Sequence, residues 1–102
     1  MLTYRVSVVA SYPADTEMSE MLKRLAKNAV ESSGVITFVG RVGISPTLIA
    51  SYDDVEGRTE EQARELGAAI FKLESSRWPL PKAEALLATS PSDPFVTSRV
   101  AA

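Results

Sequence analysis

Two alternating runs set the terms on which this chain can fold. From Thr3 to Tyr12, the residues Tyr4, Val6, Val8, Ala10 and Tyr12 share one side, and Thr3, Arg5, Ser7, Val9 and Ser11 share the other. That is the period of a half-buried strand. The same phase returns from Thr47 to Asp53: Leu48, Ala50 and Tyr52 match Val8, Ala10 and Tyr12, while Thr47, Ile49 and Ser51 match Ser7, Val9 and Ser11. Even the triplet Ala10-Ser11-Tyr12 recurs, as Ala50-Ser51-Tyr52, 40 residues later. Behind each run stands a helical pattern and then another strand-like segment, so the element order reads β-α-β-β-α-β.

The first helix is expected between Asp15 or Thr16, as its cap, and about Ser33. Met18, Met21, Leu22, Leu25 and Ala29 recur at helical spacing there, and Gly34 stands where a chain-reversing residue is wanted. Val35 to Val42 is rich in β-branched and aromatic residues, and Gly43 to Pro46 supplies a turn, so a hairpin joins it to the Thr47 strand. Asp53 to Arg58 reads as a loop. Thr59 with Gln62 three residues on then fits a capping box before Ala63, Leu66, Ile70 and Leu73. This second helix must end before Pro79, and Lys82 to Thr89 offers a short edge strand.

The expected fold is therefore α+β: a ferredoxin-like βαββαβ plait, with a four-stranded antiparallel sheet carrying two helices on one face. Residues 1–90 form a single domain on this reading, and residues 91–102, interrupted by Pro91 and Pro94, form a C-terminal tail. The first and third strands are expected as central, parallel neighbours. That arrangement would gather Asp15, Glu17, Asp53, Asp54 and Glu56 at one end of the sheet.

Composition removes many functions. The chain has no Cys and no His, which excludes disulfides, thiolate nucleophiles, Ser-His-Asp triads and the usual zinc and haem ligands. A net charge of −2 leaves no electrostatic footprint for nucleic acid. No segment near the start reads as a signal or membrane span, so the cytoplasm is the default location. Dinucleotide, Walker-type and G-x-S-x-G motifs are missing, and no cofactor is implied. Gly40-Arg41-Val42-Gly43 resembles the glycine-and-arginine phosphate loop of acylphosphatases over four residues. That family carries its loop after the first strand, where this chain has Pro13-Ala14-Asp15 and no basic residue.

Three functional readings follow. The first is a non-enzymatic interaction or assembly module, homodimeric through the open sheet face or an edge strand. Its candidate interface residues are Arg5, Val9, Ile49, Trp78 and Phe95, with Val39 or Phe38 joining Val9 and Ile49 in an apolar patch. The second is a small-ligand or divalent-metal site built from the acidic residues Asp15, Glu17, Asp53, Asp54 and Glu56. Capping and the helix dipole by themselves account for acids beside helix starts, and are the stronger explanation. The third is an RNA-binding plait, which needs aromatic residues on the outward face of the central strands. Those positions hold Arg5, Ser7, Val9, Thr47, Ile49 and Ser51 instead. Trp78 has a second possible role, closing the core beside Pro79.

Overall fold

The computed structural model describes residues 2–18, 34–78 and 80–90. It is an α+β structure with four strands and one helix among these residues: β1 (Leu2–Ser11), β2 (Gly34–Val42), β3 (Ser45–Gly57), α1 (Glu60–Ser75) and β4 (Ala85–Thr89). The strands form one antiparallel sheet in the order β2-β3-β1-β4. The helix expected up to Ser33 falls largely outside the described residues. Before it, Thr16 N donates to Pro13 O at 2.9 Å in a turn.

The in-out phase follows from the alternation. Val6, Val8, Ala10 and Tyr12 of the first run, and Leu48, Ala50 and Tyr52 of the second, are buried together with Ala63 and Phe71 of α1. These side chains leave water on the face that α1 covers, the main favourable term in holding helix to sheet. Gly67 brings the helix close, since a Cβ there would stand 2.5 Å from Val6 Cγ1. Gly34 is the first residue of β2, and the Tyr52 ring fills the space where its side chain would be.

The capping signal at Thr59 works as read. Thr59 Oγ1 accepts from Gln62 N at 3.2 Å, and Gln62 Oε1 accepts from Arg58 N at 3.0 Å, while Glu60 and Glu61 occupy the first turn. Ser90 ties the end of β4 to this turn by donating from Oγ to Glu60 Oε2 at 3.3 Å.

Two expectations are corrected. The strands β1 and β3 are central neighbours, but they run antiparallel, pairing Val8 with Ala50 and Val9 with Ile49. Alternation alone does not carry strand direction, which is set by the path of the connections. The stretch from Asp53 to Gly57 is not a loop but the second half of a long β3, continued past a bulge. Asp53 and Asp54 there oppose the single residue Arg5, and Asp54 takes a left-handed φ of 57°.

Candidate functional site: the open sheet face

Outside the sheet, Tyr12, Met18, Trp78, Leu80 and Ala83 pack into the core with α1. The opposite face carries the outward halves of all four strands. Register places Phe38 beside Ile49, Ile49 beside Val9 and Val9 beside Leu87. In an antiparallel sheet, residues directly opposite project to the same side and touch. Phe38, Ile49, Val9 and Leu87 thus form one continuous apolar row that crosses the sheet from edge to edge.

This row is partly wet at its ends: Phe38 is 38% exposed and Leu87 49%, whereas Val9 at the centre is 9% exposed. Val35, at 65%, adds to the patch from the next row. On either side the partners are small or hydroxylic. Val35, Ser51, Ser7 and Thr89 form one flanking row, and Gly40, Thr47, Ser11 and Ala85 the other. Ser7 Oγ and Ser51 Oγ hydrogen-bond at 3.0 Å, and Thr47 Oγ1 donates to Ser45 O at 3.0 Å. The Phe38 ring lies over Gly40, where an added Cβ would come within 3.0 Å of Phe38 Cζ.

Charge appears only past these rows. Arg5 Nε meets Asp53 Oδ1 at 2.7 Å, with both side chains about two-thirds exposed (64% and 66%). Between that pair and the far end, the outward positions of β1 and β3 are Ser7, Val9, Ser11, Thr47, Ile49 and Ser51, all neutral. The result is a largely apolar surface with polar margins, bearing at its Leu2 end the Arg5-Asp53 ion pair and Glu56 opposite Thr3.

The other sequence-derived candidates scatter. Antiparallel pairing sends Asp15 and Glu17 beyond the Ser11 end of β1, while Asp53, Asp54 and Glu56 lie at its Leu2 end. The expected acidic rim therefore divides between opposite ends of the sheet. Among the described residues, no three acidic side chains form a group able to hold a metal ion. Asp54 and Glu56 instead edge a shallow cleft of about 340 Å³ whose other wall includes Leu66 and Ile70 of α1. Trp78 stands on the core side, edge-to-face with Phe71 at a ring separation of 5.4 Å. Phe95 lies outside the described residues.

Val35 and Leu87 are not legible in the sequence as members of the face, because their side depends on the registers of β2 and β4. The signal that finds them is the pairing itself: once Val9 is outward, its partner Leu87 must be outward as well.

Two phenols are buried on the inner face. Tyr12 Oη and Tyr52 Oη make no hydrogen bond among the described residues. Burial pushes the Tyr12 hydroxyl up to about 12. It pushes Tyr52 well above the ordinary phenol value too, with Glu74 and Tyr12 adding electrostatic repulsion against ionisation. Among the described residues, no helix is long and apolar enough to cross a membrane. No protein-family model, curated protein or solved structure matches this chain.

Proposed function

We propose that this chain is a non-enzymatic interaction module that pairs with a second copy of itself through the open sheet face. The observation that carries the proposal is the unbroken row Phe38-Ile49-Val9-Leu87 on the face away from α1. Size supports it. Four strands about 4.8 Å apart, the longer ones about 30 Å in extent, project on the order of 500 Å² before side-chain relief is counted. That approaches the scale of a standard interface, which buries roughly 800 Å² per partner.

The face also fits a second copy better than other partners. A neutral apolar surface offers nothing to a polyanion, and β1 and β3 present no outward aromatic on which a base could stack. A like surface, by contrast, matches it in shape and polarity, as the inner faces of a β-sandwich match one another. The proposal extends to the fold. β1 and β2 run parallel with β3 between them, the relation that a crossover connection makes. Such crossovers are usually helical. With the periodicity of Met18, Met21, Leu22, Leu25 and Ala29, this supports the two-helix βαββαβ plait.

Sedimentation equilibrium across a micromolar concentration range tests the reading. A monomer–dimer equilibrium is expected, and Leu87→Lys and Val35→Lys, both at exposed positions, should each weaken it roughly tenfold or more, the equivalent of about 1.4 kcal/mol. A strict monomer at every concentration overturns the proposal.

A further inference from the structure

We infer that the two copies are related by a two-fold axis running parallel to the strands, between β1 and β3, so that β1 of each copy lies over β3 of the other. This rests on the reading of the open face as a self-association surface. The strand order β2-β3-β1-β4 puts β1 and β3 at the centre and the two edge strands outside them. An axis along the strands therefore exchanges β1 with β3 and β2 with β4 across the interface. An axis across the strands stacks each strand on its own copy.

The outward residues discriminate between these arrangements. With the axis along the strands, Val9 faces Ile49 of the other copy, Phe38 faces Leu87, and Ser7 faces Ser51. The large flat ring meets the exposed aliphatic side chain at each edge. The ion pair decides further. Arg5 and Asp53 lie at the same level on β1 and β3. This axis sets Arg5 of each copy over Asp53 of the other, closing a ring of alternating charges. The crosswise axis instead carries each Arg5-Asp53 pair over the far end of the sheet, where the outward strand positions are Ser11 and Ser45 rather than a matching ion pair. Charge complementarity of this kind fixes register more than it adds affinity.

Because the chain contains no Cys, single cysteines report cleanly. Phe38→Cys and Leu87→Cys proteins are prepared separately, their folds compared by circular dichroism, and each is treated alone, or refolded together with the other, with a bis-maleimide spanning about 10 Å. Facing sheets lie about 10 Å apart, so the mixed pair is within reach. With the axis along the strands, a site on an edge strand is about 14 Å away laterally from its own counterpart, and about 17 Å away in all.

The expected result is a cross-linked dimer from the mixture and little from either variant alone. Efficient linking of Leu87→Cys to itself overturns the inference. That position is on an exposed edge strand and decides the question even if Phe38→Cys does not fold. Sedimentation of the wild-type chain separates the two levels. A monomer overturns self-association itself, whereas a dimer with the self-linking pattern overturns only the axis.

Discussion

The close approach of α1 to β1 predicts an unusual outcome for a helix substitution. Gly67 lies in the middle of a 16-residue helix, where replacing glycine by alanine normally stabilises by about 1 kcal/mol. Here the new Cβ would stand 2.5 Å from Val6 Cγ1 and 3.1 Å from Val6 Cβ, and Val6 is fully buried with no room to turn away. Overpacking of this kind costs about 1–3 kcal/mol and outweighs the gain in propensity. Gly67→Ala should therefore destabilise by about 1 kcal/mol net, lowering Tm by roughly 4–8 °C. Val6→Ala alone leaves a cavity and costs about 1–3 kcal/mol. The two together should cost less than their sum by at least about 1 kcal/mol, because the methyl added to the helix enters the space vacated by the Val6 side chain. Urea denaturation of the four proteins of this cycle supplies the numbers. A stabilised Gly67→Ala protein, with no coupling to Val6, would show that α1 does not press on Val6 and that the covered face is wrongly assigned.

Other consequences are independent of that cycle. Gly40→Ala should displace the Phe38 ring from the sheet surface, changing monomer stability by less than about 1 kcal/mol while weakening self-association measured by sedimentation. Ionisation of the two buried phenols should lower stability from about pH 10 toward 12. Tyr12 and Tyr52 stay neutral in the folded chain over that window while the unfolded chain loses their protons, a slope of about 1.4 kcal/mol per pH unit for each phenol. Tyr12→Phe should remove part of this alkaline limb without loss of stability near pH 7, since the deleted hydroxyl has no partner among the described residues. Denaturant midpoints at pH 7, 10 and 11 check both statements.

How much of this can be read from the residues depends on the type of information each feature needs. The phases of β1 and β3 and the cap at Thr59 are local, written in alternation and in the Thr59–Gln62 spacing, and they appear in the structure as expected. Strand direction is not local. Val8 and Ala50 alternate identically in either orientation, so phase alone gathers the acidic residues at one end, whereas antiparallel pairing divides them between two. The continuation of β3 through Asp53, Asp54 and Glu56 is obscured by residues that usually mark loops, and a bulge beside Arg5 accommodates them. The centre of the open face, Val9 with Ile49, is legible from phase alone. Its ends, Phe38 and Leu87, require the registers of the edge strands.

Whether two copies meet through this face can be read from isotope-filtered NMR on a refolded mixture of labelled and unlabelled chains. Intermolecular contacts are predicted from the methyl groups of Val9, Ile49 and Leu87 and from the ring of Phe38. Val8, Leu48 and Phe71 on the buried side should show none. Intermolecular contacts confined to the outer surface of α1, or a sample without any at millimolar concentration, would contradict the account.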